Sequence, residues 1–137
     1  MVGTTIECFM TRSPHTIGHE ETLATAHRMM RNHSIRHLPV LSGGRLVGLL
    51  SDRDVHLVET LKDVDPTKIA VSEAMTAEVF AVAPRSPLRT VASEMAEHKY
   101  GCAVVLDGRQ VVGVFTTVDA LKALAGLLEP DPSALPR

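Results

Sequence analysis

The chain has 137 residues, 45% apolar and only 3% aromatic, with a formal net charge of −2. That length suits one compact domain whose core is built from Val, Leu, Ala, Ile and Met. The charge balance gives no general attraction to nucleic acid, and one Tyr and three Phe offer few platforms for base stacking.

The first segment, "MVGTTIECFM", lacks the basic opening and apolar run of a signal peptide. No stretch approaches the ~18 apolar residues of a membrane span. Cys8 and Cys102 make no disulfide framework. A soluble, cytoplasmic protein with no membrane or nucleic-acid partner is the expectation.

The elements follow in order. His15 to Ile17 reads as a short extended piece. Thr22 caps a helix in which Leu23, Ala26 and Met30 recur at helical spacing. Two apolar strands come next, Leu38 to Leu41 and Leu46 to Leu50, joined through "SGGR", a tight hairpin turn. A helix starts at Asp52. Residues 58–70, with "DVDPTK", connect to a second series: a strand at Val79 to Val82, a helix through Leu88, Val91, Ala92 and Met95, strands at Val104 to Leu106 and Val111 to Phe115 around "DGRQ", and a helix from Thr117.

The second series copies the first. Shifted by 65 positions, Met10-Thr11 meets Met75-Thr76, Leu23 meets Leu88, Thr25 meets Thr90, Met30 meets Met95 and His33 meets His98. Val40-Leu41 meets Val105-Leu106, Gly43 meets Gly108, Val47-Gly48 meets Val112-Gly113, and Asp54 meets Asp119. These are 12 identities over the 46 gap-free positions 10–55, well above chance. The expected fold is α/β (α+β): tandem units of strand, helix, strand, strand and helix, packed sheet to sheet about a pseudo-twofold axis in one core. The units are placed at 1–60 and 71–125, with a connector at 61–70 and a flexible tail at 126–137.

The segments "MTRSPHTI…TLATAHRMMRNHSIRHLPVLSGGRLVGLLSDRDV" and "MTAEVFAV…PLRTVASEMAEHKYGCAVVLDGRQVVGVFTTVDAL" each resemble a CBS (cystathionine beta-synthase) domain. The resemblance covers about Ile6 to Leu124, and a tandem pair of this kind is called a Bateman module. It implies a stand-alone regulatory sensor, not an enzyme. Its ligand would be AMP, ADP, ATP, S-adenosylmethionine or NAD, held in clefts between the repeats. It also implies a homodimer and a regulated enzyme or transporter in trans.

Both repeats end a strand with a hydroxyl residue and, three positions on, an aspartate: Ser51 and Asp54, then Thr116 and Asp119. A carboxylate at the start of a helix can accept both hydroxyls of a ribose, and helix N-terminal N–H groups favour an anion nearby. The same aspartate can simply cap its helix. The resemblance implies ribose contacts for Asp54 and Asp119, with phosphate contacts from Arg36 and His37 toward the Asp119 cleft. The stretches Thr76 to Ala81, including Phe80, and Tyr100 to Ala103, including Gly101 and Cys102, are assigned to that same cleft. Thr11 to Ile17, including Thr16, and Ile35 to Leu38 are assigned to the other. Gly101 and Cys102 stand where Arg36 and His37 stand in the first repeat, so the Asp54 cleft is expected to be the weaker phosphate site.

Two rival readings remain. One is a structural interaction module with empty clefts. The other is metal binding through His15 and His19 or His33 and His37, each four apart; neither pair has a third ligand at matching spacing. No nucleophile or phosphate-loop motif supports an enzyme. Adjacent apolar residues, Met29 with Met30 and Leu127 with Leu128, cannot both point inward from a helix, which also favours the homodimer.

Overall fold

A computed structural model describes residues 4–128 of the chain. Its elements, in chain order, are β1 (Thr11–Arg12), β2 (Ile17–Gly18), α1 (Leu23–His33), β3 (His37–Ser42), β4 (Arg45–Ser51), α2 (Asp52–Glu59), α3 (Val71–Ala74), β5 (Ala81–Val82), α4 (Leu88–His98), β6 (Cys102–Asp107), β7 (Gln110–Thr116) and α5 (Thr117–Leu127), with single 3-10 turns at Ile6–Cys8 and Pro66–Lys68. The fold is the mixed α+β pair expected from the repeat.

The hairpins form as their turn residues dictate. Gly43 and Gly44 both take positive φ, 57° and 81°, which lets a two-residue loop follow the twist of β3 and β4. In the second hairpin Gly108 alone does so, at 64°. Thr22 caps α1 by accepting the Thr25 N–H. Each strand pair slips register at the same repeat position, between Val40 and Leu41 and between Val105 and Leu106.

One sheet runs β2-β3-β4 and the other β1-β7-β6-β5. The second contains a strand from the first repeat. β1 lies antiparallel to β7, Thr11 opposite Val114. The exchange is mutual, because Thr76, 65 positions on, bridges to Leu49 on β4. Leu49 and Thr76 trade two backbone hydrogen bonds of 2.9 Å each. The turns ahead of these crossings follow the same rule. Ile6 N–H donates to the Ser86 carbonyl at 2.9 Å, and Val71 N–H to the Glu21 carbonyl at 2.7 Å.

This exchange divides the interior. The expectation of one core is corrected to two buried clusters. Leu23, Ala26, Met30, Leu38, Val40, Leu50 and Val55 of the first repeat enclose Val71 from the second. Leu88, Val91, Met95, Ala103, Val105 and Phe115 of the second enclose Ile6 from the first. Ile6 and Val71 are fully buried, worth about 1.5–3 kcal/mol each relative to exposure. The sheets touch where β4 faces β7.

The boundary expected at 126 falls inside α5, which continues through Leu127. The rest of the expected tail, 129–137, lies outside the described residues. Met29 is half-buried against the first cluster, so it supplies little spare apolar surface.

Candidate functional site

The repeated Ser/Thr-x-x-Asp endings are capping boxes in both repeats. Asp54 N–H donates to Ser51 Oγ at 3.1 Å, and Ser51 N–H donates to Asp54 Oδ2 at 2.9 Å. Asp119 N–H donates to Thr116 Oγ1 at 3.2 Å, and Thr116 N–H donates to Asp119 Oδ2 at 2.9 Å. Each box satisfies helix N–H groups that would otherwise lack partners.

The two carboxylates then part company. Thr116 Oγ1 also donates to Asp119 Oδ2 at 3.1 Å. Thr11, brought over on β1, donates its hydroxyl to both Asp119 oxygens, at 3.0 and 3.2 Å. Asp119 is buried with both oxygens engaged. Asp54 is half-buried, and its Oδ1 accepts no hydrogen bond among the described residues. Thr76, the counterpart of Thr11, makes no side-chain hydrogen bond among them either.

Beside Asp54 is a cavity of about 220 Å³ lined by His37, Leu49, Ser51, Asp54, Thr76, Glu78, Phe80, Lys99, Tyr100, Gly101 and Cys102. The grouping expected from sequence is therefore corrected. Thr76, Phe80, Tyr100, Gly101 and Cys102 line the Asp54 cavity, with Cys102 also opposite Thr116 and beside Asp119, and Thr11 reaches Asp119 rather than Asp54. The cause is the exchange of β1 and the Thr76 bridge. His37 lines the Asp54 cavity, as the Ile35 to Leu38 assignment expected, because β3 begins there with His37 opposite Ser51.

Arg36 stands apart. It lines a shallow depression with Arg31, Ser34 and Asp52, and its carbonyl accepts the Asp52 N–H at 2.7 Å. Ala81 is held on β5 opposite Val104. Thr16 is half-buried just before β2. None of these three lines the Asp54 cavity.

Glu78, inside the expected Thr76 to Ala81 stretch but not singled out there, and Lys99, outside every expected stretch, line it too. The signal was divergence between the repeats: the positions matching them are Ser13 and Ser34. Lys99 ends α4 in the left-handed region at φ 59°, as Ser34 ends α1 at 54°. Lys99 thus puts one ammonium in the lining of the cleft for which the sequence offered no matched cation.

The cavity carries one aromatic wall. Phe80 and Tyr100 stack with centroids 5.0 Å apart, and His98 stacks on Tyr100 at 5.2 Å. Burial lowers the His37 pKa below its ordinary value; Asp54 opposes this, Arg36 adds to it and Asp52 opposes it. The imidazole is therefore neutral at pH 7 and offers a hydrogen bond without a charge. Burial, helped by Asp119, pushes the Cys102 thiol up to about 12. That leaves it a protonated, unreactive wall of the cavity.

The histidine pairs weighed for metal separate differently. His15 stacks on His33 at 3.7 Å. Among the described residues, three metal-type ligands converge only at Glu94, Glu97 and His98 on the outside of α4. No helix among them is long and apolar enough to cross a membrane.

Comparison with known proteins agrees with this architecture. The CBS domain family model matches residues 6–58 and 71–126. CBS domain-containing protein YhcV of Bacillus subtilis is 30% identical over 110 residues, covering 80% of this chain and 78% of that protein. The inosine-5′-monophosphate dehydrogenase of Korarchaeum cryptofilum is 31% identical over 114 residues, covering 82% of this chain but 23% of the enzyme. The crystal structure of the CBS domain pair of protein MJ0100, in complex with 5′-methylthioadenosine and S-adenosyl-L-methionine, is 25% identical with a TM-score of 0.82, covering 90% of this chain and 98% of that one. Two matched repeats, reciprocally exchanged and each ended by a capped aspartate, make this chain a member of the CBS domain family, in the form of a tandem pair.

Proposed function

We propose that the chain is a regulatory module that binds an adenosine-containing small molecule in the Asp54 cleft and signals, as a homodimer, to an enzyme or transporter in trans. The observation that carries this reading is Asp54 Oδ1, which accepts no hydrogen bond among the described residues, in the lining of a cavity built from both repeats. A ribose diol donates two hydrogen bonds, and a carboxylate with one oxygen uncommitted can take them without breaking its capping box. Phe80 and Tyr100 supply the apolar wall that an adenine or a 5′ substituent needs. A cavity of about 220 Å³ suits one nucleoside better than a dinucleotide. The adenosine ligands of the MJ0100 pair support the same ligand class.

Asp119 takes a different role in this reading. Its carboxylate latches the N-terminal strand to the second repeat, so a ribose there would have to displace Thr11. Calorimetric titration of 5′-methylthioadenosine separates the roles. Asp54→Ala is expected to weaken binding by about 1–3 kcal/mol, the cost of an unmade hydrogen-bond pair. Asp119→Ala is expected to lower the melting temperature and keep measurable affinity. Loss of binding in a folded Asp119→Ala protein, with Asp54→Ala unaffected, places the ligand in the other cleft. No binding of any adenosine ligand to the wild type removes the sensor reading.

A further inference from the structure

The charges around the Asp54 cavity do not suit a phosphate. Two carboxylates, Asp54 and Glu78, line it against one ammonium, Lys99. Glu78 and Lys99 make no ion pair with each other or with any described residue. His37 is the only other titratable nitrogen in the lining, and it contributes no charge at neutral pH. Arg36, the guanidinium expected to meet a phosphate in the Asp119 cleft, does not line this cavity.

The chain on either side of Glu78 is held. This residue comes two residues after Thr76, whose backbone is pinned to Leu49, and two residues before Phe80, whose ring is stacked on Tyr100. The Glu78 side chain is exposed, and a carboxylate in the lining of a cavity attracts cations and repels anions. The first repeat has Ser13 at the equivalent position, so this arrangement is particular to the Asp54 cleft.

We propose that the Asp54 cleft selects adenosine derivatives by the charge of the 5′ group, with Glu78 as the selecting residue, so that a thioether or sulfonium is taken in preference to a phosphate. The inference rests on the adenosine reading above and narrows it to a ligand class. A phosphate monoester brings about −1.5 to −2 charges at pH 7 to a lining in which two carboxylates outnumber one ammonium. A sulfonium brings one positive charge to the same place.

The test compares three ligands that share the adenosine half. 5′-Methylthioadenosine is neutral, AMP is anionic and S-adenosylmethionine is cationic. Each is titrated by calorimetry into the wild type, Glu78→Gln and Glu78→Lys at low salt, and affinities are read as ratios to methylthioadenosine, which cancels any general change in the site. The wild type is expected to rank AMP last. Glu78→Gln is expected to raise the AMP ratio and lower the S-adenosylmethionine ratio, each by roughly three- to tenfold, with Glu78→Lys moving both further the same way. Added salt is expected to compress all these differences. Unmoved ratios in both variants, with methylthioadenosine still bound, overturn charge selection and leave the adenosine reading standing. Failure of all three ligands to bind the wild type overturns both.

Discussion

His37 is where burial and function meet most directly in one side chain. Its ring stands over Gly101, with Nε2 only 3.1 Å from where a Cβ on that glycine would lie. Burial lowers its pKa from the ordinary 6.5, so the folded protein holds this proton less tightly than the unfolded chain does. Between the folded and unfolded pKa values the unfolded state binds more protons, and stability rises with pH there. The contribution is complete above about pH 6.5 and is lost as pH falls from there through the lowered folded value. His37→Gln keeps a hydrogen-bonding group without a titration. Its melting temperature is expected to fall less than the wild type's between pH 7 and pH 5. Parallel pH profiles for the two proteins would mean that another group carries the acid sensitivity.

Gly48 and Gly113 mark the exchange between repeats at the level of the strand. A Cβ on Gly48 would overlap Met75 Sδ and stand 3.0 Å from the Thr76 carbonyl oxygen; one on Gly113 would meet Met10 and the Thr11 carbonyl at the same distance. The paired Met-Thr and Gly identities are thus two sides of one crossing contact. Met side chains can yield, but the carbonyls belong to pinned backbone, so Gly48→Ala or Gly113→Ala is expected to cost about 1–3 kcal/mol by overpacking. Gly126 in α5 meets nothing within 4 Å, so Gly126→Ala is expected to stabilise by about 0.4–1 kcal/mol. Urea midpoints read all three, and an unchanged midpoint in Gly48→Ala would remove the steric account. The same contact explains what was legible beforehand. Helices and hairpins announce themselves through local period, caps and turn residues, so α1, β3, β4 and their copies lie close to their expected positions, the helices running on past Met30 and Met95 to His33 and His98. The crossing of Thr11 and Thr76 joins residues far apart in sequence and leaves no local pattern; the repeated Met-Thr was visible, its reason was not. Most side chains that line the cavity were therefore named, but most of them were assigned to Asp119.

At the scale of the whole molecule the two repeats differ most on their last helices. α5 exposes Val118, Leu121 and Leu124 at three-residue spacing, followed by Leu127 and Leu128; Leu121 is 64% exposed. The matching positions of α2 are Arg53, His56 and Glu59. One helix has thus kept a polar face where its copy carries an apolar stripe, although both start from the same capping box. Helix α2 adds only Leu57, with Leu61 just beyond its end. An apolar stripe on one helix suits an isologous contact, in which the same patch serves both partners about a twofold axis. The homodimer is therefore expected to pair α5 with α5. Light scattering is expected to give twice the 14.8 kDa chain mass at micromolar concentration. Leu121→Glu places two carboxylates close to the twofold axis and is expected to yield a monomer, whereas Leu57→Glu is expected to leave the dimer largely intact. A wild type that scatters as a monomer ends the dimer proposal. A dimer that survives Leu121→Glu but not Leu57→Glu moves the contact from α5 to α2.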